Sequence, residues 1–229
     1  MNAHEPPIAV ERGIRTLVAD SIALAMDSEA HGDIDQKNRL ARASIVSSLL
    51  FLEASANCCL DLLNLGTRFA GEVDRLPTIA KYDLFLRIRC RGRALDRGRA
   101  EVQGYGELKS LRDSFVHPRA QRFEWIEWSE DSDVSTSPKS KALGLTKIPS
   151  YCFPDDAITA LKAAHRFAGY FFSECARMKP RQVSALLHSE AEVPDLTDPV
   201  IPAWPRTVRH WLTHHEIDLS YMRLYWYDG

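Results

Sequence analysis

The sequence predicts a mainly α-helical bundle with a small β-hairpin insertion and a helical appendage at the C-terminal end. Three observations carry this. Apolar residues recur at three- and four-residue spacing through most of 8–117 and again through 155–178. Residues 122–128 alternate instead, in the manner of a strand. Four prolines within 190–205 separate the bundle from a tail rich in Trp and Tyr. At 229 residues, 45% of them hydrophobic, the chain is long enough to bury a core.

The first helix is expected over 8–29, where Ile14, Leu17, Val18, Ile22 and Met26 share a face, and Gly32-Asp33 breaks it. A second, long helix is expected over 35–65, with Asp35 placed to cap it and Gly66 to stop it. A third follows Pro77, over 78–91. The arginine-rich, glycine-dotted stretch 92–104 reads as a loop or a frayed helix end, and 106–117 as the next helix. Residues 119–154 form the β-containing insertion: one arm at 122–128, an exposed polar loop over 129–141, and a return over 143–151. Ile158, Leu161, Phe167, Phe171 and Phe172 supply the apolar face of a helix over 155–178. Pro180 opens a short helix to about His188, 190–205 is a linker, and 207–227 docks on the body or on a partner. The bundle is thus assigned to 1–178 and the appendage to 179–229.

The formal net charge is −2, which predicts no general affinity for nucleic acid or anionic membrane. Its distribution is uneven: residues 87–122 hold ten Lys or Arg against four acids, an excess of +6 that leaves −8 elsewhere. Five cysteines (58, 59, 90, 152, 175) show no zinc or disulfide-framework spacing and read as the reduced thiols of a cytoplasmic protein. Residues 1–7 are polar and short, so no export leader is expected. The longest apolar run, 45–63, is interrupted by Glu53, Asn57 and Asp61, which favours a buried helix over a membrane span.

The most informative segment is Arg112-Asp113-Ser114-Phe115-Val116-His117, followed by Pro118. Leu108, Leu111 and Phe115 give it an apolar face, so the polar trio rides on a helix that packs. Proline disfavours the α region for the residue before it, which ends the helix at His117. The exposed carbonyls there favour the protonated imidazole by about 0.3–1 kcal/mol. A permanent cation beside a group that changes protonation state near neutral pH is suited to a phosphodiester. On the long helix, Glu53, Asn57 and Asp61 are spaced by four and share a face. That face is either a bundle seam of satisfied polar groups or the border of a groove shared with Arg112 and His117.

A long helix reading Ser-Ile-Val-Ser-Ser-Leu-Leu-Phe-Leu-Glu-Ala-Ser-Ala-Asn over 44–57, then a helix ending Arg-Asp-x-x-x-His-Pro, resembles the HEPN superfamily of helical bundles. The resemblance covers roughly 8–178 and is strongest over 40–65 and 107–119. It implies that Arg112 and His117 are the catalytic arginine and histidine, that Asp113 holds the intervening polar position, and that Glu53 and Asn57 support them. Many members are metal-independent endoribonucleases that dimerise so that two motifs line one cleft. Several are toxins beside a nucleotidyltransferase-type antitoxin, or act in phage defence; others are non-catalytic binding or assembly modules. The insertion over 119–154 and the tail after 178 have no counterpart in that pattern.

The chemistry so implied is cleavage of RNA to a 2′,3′-cyclic phosphate, with no cofactor and no metal. His117 moves the proton, Arg112 stabilises charge on the phosphate, and Asp113 orients either one. Five helical residues turn about 140°, so Arg112 and His117 do not share a face of an ideal helix. Arg87, Arg89, Arg91 and Arg119 would steer RNA if they flank the Arg112 groove, although a solvated charge run is the ordinary reading. His210, His214 and His215 near Glu216 and Asp218 invite a metal, the first two spaced by four, but no third ligand at a recognisable spacing accompanies them and a surface or interface helix is the plainer reading. The five tryptophans suit packing better than base stacking, and there is no P-loop, dinucleotide fingerprint or H-E-x-x-H.

Overall fold

Two serine hydroxyls close the first two helices into an antiparallel hairpin: Ser28 Oγ donates to Lys37 O at 2.8 Å and Ser44 Oγ to Ser21 O at 2.7 Å. The structure, a computed structural model, describes residues 10–117, 120, 122, 137–189 and 201–228. Helix α1 spans Ile14–Ala30 and buries Ile14, Val18, Ile22 and Ala25. Helix α2 spans Ile34–Asp61 and is the central element, packing on α1 and on the helices that follow. By length and hydropathy alone it could cross a membrane, but most of its apolar window is buried in the bundle.

The ends of α2 differ from expectation. Asp33, not Asp35, is the cap, accepting from Gln36 N at 2.9 Å, while Asp35 sits inside the first turn. The helix stops at Asp61, where two tight turns end on Asn64 at φ 47°. Asparagine tolerates that left-handed conformation better than most side chains. Gly66 instead precedes a short helix, α3 (Thr67–Val73), that the sequence reading missed. Helix α4 spans Thr78–Arg89. Helix α5 starts at Ala100, six residues earlier than expected, and runs to Val116.

The expected helix over 155–178 is helix α6 (Pro154–Gly169), which widens into a π-helical stretch, Tyr170–Cys175. Asp156 holds its start, accepting from Phe153 N at 2.9 Å and Thr146 N at 2.8 Å. Its rings form the centre of the core: Tyr82 lies 5.2 Å from Phe167 and 4.3 Å from Phe171, and Tyr105 lies 5.0 Å from Phe167. Helix α7 spans Pro180–His188, as expected.

The expected hairpin lies largely outside the described residues, including its first arm at 123–128. The described part of the return holds one antiparallel bridge, Lys139 to Thr146, and a 3₁₀ turn at Pro149–Tyr151, rather than a strand over 143–151. Strand character occurs instead in the tail, where β1 (Ala203–Pro205) pairs in parallel with β2 (Tyr225–Tyr227), Trp204 opposite Trp226. Helix α8 (Arg206–His214) lies between them. Trp204, Leu212, Leu219, Tyr221 and Met222 join the same core cluster as α1, α2 and α6, so the tail docks on the body.

Candidate functional site

Helix α5 is anchored at both ends by different neighbours, and this decides which predicted residues can meet. At its start, Arg99 reaches Glu174 at 3.3 Å, beside the end of the π-helical stretch. Along its middle, Glu107 accepts from Ala142 N at 2.7 Å and Leu143 N at 2.8 Å. Gly104 admits this loop, because a Cβ there would stand 3.2 Å from Leu143 Cδ2. Near its end, Arg112 turns toward α2.

There the guanidinium meets two carboxylates: Arg112 Nη2 lies 3.4 Å from Glu53 Oε2 and Arg112 Nη1 lies 3.3 Å from Asp113 Oδ1. Asp113 is also bound by Lys109, one turn earlier. Arg112 Nε is buried without a hydrogen-bond partner among the described residues. The phenol of Tyr105 sits beside this group; burial pushes its pKa up, a hydrogen bond with Thr78 and the charge of Arg112 pull it down, and Glu53 and Asp113 raise it further. Arg112, Asp113 and Glu53 therefore form one half-buried cluster.

Asn57 belongs to a neighbouring one. Its Oδ1 accepts from Lys81 Nζ at 2.8 Å, and the same ammonium lies 3.0 Å from Asp74 Oδ1. Lys81 is 3% exposed, the most buried lysine of the described residues, and it sits on the apolar stripe of α4 with Tyr82 and Phe85. Asp61 continues the line: burial raises its pKa, Arg12 lowers it, and Asp74 raises it. On the polar face of α2, Asn57 thus lies in a satisfied seam against α4, Asp61 is exposed beyond it, and Glu53 is the contact to the motif. Lys81 and Tyr105 were missed at the sequence level, although a lysine on an apolar helical face was the available signal.

His117 closes α5 at φ −124°, ψ 65°, with its N–H donating to Asp113 O at 2.9 Å. Its ring is exposed, beside the 51% exposed Val116, and makes no hydrogen bond or ion pair with a described residue. Arg112 and His117 share the last turns of one helix, but within a chain the guanidinium faces α2 while the imidazole is exposed at the tip.

The basic stretch lies elsewhere. Arg93 Nη1 donates to Cys175 O at 2.9 Å, beside the start of α5. From Arg99 to Arg112 the helix rises about 20 Å, so Arg89 and Arg91 are at the opposite end of the bundle from the motif. Arg87 is paired with Asp83 at 3.1 Å. These three arginines do not flank the Arg112 cluster, because the turn after α4 folds back against Cys175; Arg119 lies outside the described residues.

Among the described residues no cluster of three or more His, Cys, Asp or Glu side chains is arranged for a metal. Of the tail histidines, His215 contributes to docking: its Nε2 lies 3.2 Å from Glu29 Oε2, the oxygen that accepts from Trp211 Nε1 at 2.7 Å. Compared with protein-family models, curated proteins and solved structures, the chain matches none.

Proposed function

We propose that this chain is a metal-independent endoribonuclease of the HEPN type, working as a cytoplasmic homodimer. The observation that carries the reading is the contact of Arg112 with Glu53, which fixes the guanidinium of the motif against the long helix, with His117 exposed at the end of the same helix. A second copy would bring its own exposed His117 and Val116 toward the first. In that arrangement one imidazole takes the proton of the ribose 2′-hydroxyl as its oxygen attacks phosphorus. The other gives a proton to the departing 5′-oxygen, leaving a 2′,3′-cyclic phosphate. Arg112 stabilises charge on the non-bridging oxygens through charge-assisted hydrogen bonds. Asp113 and Glu53 restrain its rotamers. A role as a toxin or phage-defence component, beside a nucleotidyltransferase-type antitoxin, belongs to the same proposal and rests on the resemblance alone.

One observation favours a second reading, a non-catalytic HEPN-type binding or assembly module. Arg112 already has two carboxylate partners, and the arginines around Arg93 lie at the other end of the bundle. Cleavage of single-stranded RNA in EDTA, lost in His117→Ala with helicity and oligomeric state unchanged, supports the nuclease. Inactivity of an intact dimer under those conditions supports the module.

A further inference from the structure

We infer that the end of the bundle opposite the Arg112 cluster docks on an anionic lipid surface, which goes beyond the nuclease reading and does not depend on it. Two chain turns make this end. The one after α4 is bound to the one after the π-helical stretch: Arg93 Nη1 donates to Cys175 O at 2.9 Å and Cys90 Sγ to Ala176 O at 4.0 Å. Each turn carries an arginine in the left-handed region, Arg91 at φ 56° and Arg177 at φ 55°.

These two positions close helices. Gly92 N donates to Arg87 O at 3.1 Å and Met178 N to Phe172 O at 2.8 Å, each just past the left-handed residue. Glycine is the usual occupant of such a position, because it has no Cβ to strain. An arginine there is held against its backbone preference, and such outliers gather where a residue serves function. Both arginines are exposed, and neither makes a hydrogen bond or ion pair with a described residue.

The charge of this end is positive. Residues 83–101 and 173–181 hold nine Lys or Arg against four acids, an excess of +5. The acids are engaged: Asp83 pairs with Arg87 at 3.1 Å, and Arg99 holds Glu101 and Glu174 at 3.1 and 3.3 Å. Asp96 accepts from Gly98 N at 2.8 Å. The exposed cations besides these are Arg89, Arg91, Arg97, Arg177, Lys179 and Arg181. Next to Pro180 the tail adds Arg209 and Arg223 against Asp218. The net charge of the chain is −2, but a surface within a Debye length of about 8 Å feels mainly this local excess.

The kind of partner follows from what accompanies the charge. Residues 87–100 and 173–182 include no aromatic side chain, so the bases of a nucleic acid would find no ring to stack on. Ile88 is 52% exposed between Arg87 and Arg89 on the last turn of α4. An apolar side chain among guanidinium groups suits the boundary of headgroups and acyl chains, where the guanidinium pairs with lipid phosphate.

The test is co-sedimentation of the full chain with vesicles of phosphatidylcholine alone or of equal parts phosphatidylcholine and phosphatidylglycerol. Binding is expected to the mixed vesicles only, and to weaken as salt is raised. Each cation near such a surface contributes about fivefold, so Arg91→Gly with Arg177→Gly should weaken binding at least about tenfold. The same double variant should melt at or above the parent's temperature, since glycine relieves both left-handed positions. Ile88→Ser is expected to weaken binding less, and His117→Ala to bind as the parent does, which separates this surface from the proposed cleft. No binding to the mixed vesicles at low salt, or equal binding by the double glycine variant, overturns the proposal. Binding of polyglutamate or of single-stranded RNA that the double variant loses, with no binding to vesicles, assigns the surface to an acidic protein or to RNA and overturns it as well.

Discussion

Arg112 on α5 and Glu53 on α2 face each other at 3.4 Å across the bundle, with Arg112 the more buried of the two. Fifty-nine residues separate them in sequence. The contact orients a guanidinium that would otherwise sample many rotamers, and its net worth in stability is small, under about 1 kcal/mol for a pair this exposed. Its value is positional. Glu53→Gln keeps an acceptor and removes the charge, so unfolding free energy is expected to change by less than about 1 kcal/mol. RNA cleavage should fall about tenfold, equivalent to about 1.4 kcal/mol on the barrier. Equal cleavage by the variant would show that Glu53 does not position Arg112.

The neighbouring Asn57–Lys81–Asp74 group behaves in the opposite way. Lys81 is nearly fully buried, and Asn57 supplies one of its two acceptors. Asn57→Ala leaves that ammonium short of a partner and is expected to cost about 1–3 kcal/mol in urea unfolding. Lys81→Met removes the buried charge and keeps the bulk, and should come out within about 1 kcal/mol of the parent or above it. A larger loss in Lys81→Met than in Asn57→Ala would contradict this account.

Two buried histidines make stability depend on pH. His165 and His188 are held neutral by burial, His188 also by the charge of Arg15, each with its pKa lowered to about 4 from 6.5. Between pH 6.5 and 4 the unfolded chain binds protons that the folded chain refuses, so stability is full above 6.5 and declines as pH falls through this window. From pH 7 to 5 the loss is expected to be about 2 kcal/mol per histidine. Urea unfolding at the two pH values measures it, and His165→Gln should remove about half of the difference. A chain equally stable at pH 7 and 5 would contradict it.

The helices were legible because their apolar residues repeat at helical spacing, and Pro180 marks the start of α7 at its first residue. Their ends were less so. Asp33 and Asp35 are both suitable caps, and only the backbone decides between them; Asn64 stops α2 where Gly66 was expected to. Arg112, Asp113 and Glu53 could be picked out from residue type and spacing, and they do meet. The place of Asn57 could not, since its partner Lys81 comes from α4 and that pairing is a matter of how the helices pack. The basic stretch misled for a related reason: Arg89 and Arg91 are near the motif in sequence, but α5 carries the chain about 20 Å along the bundle before Arg112 is reached.

That separation is itself testable. Arg89→Glu with Arg91→Glu is expected to leave cleavage of a short RNA within about twofold of the parent and to change the salt dependence of binding little, since neither residue would contact phosphates at the cleft. A steep loss of cleavage, with a flattened salt slope, would mean that RNA runs the length of the bundle.

The most direct measurement is inhibition of the parent chain by His117→Ala, the two unfolded together in equal amounts and refolded as a mixture. If one cleft needs both imidazoles, the mixed dimers, about half of the total, are inactive and only the quarter that are parent homodimers cleave. Cleavage in EDTA, per total chain, should then fall to about a quarter of the parent rate. A mixture that keeps about half of the parent rate, with mixed dimers present, would contradict a shared cleft.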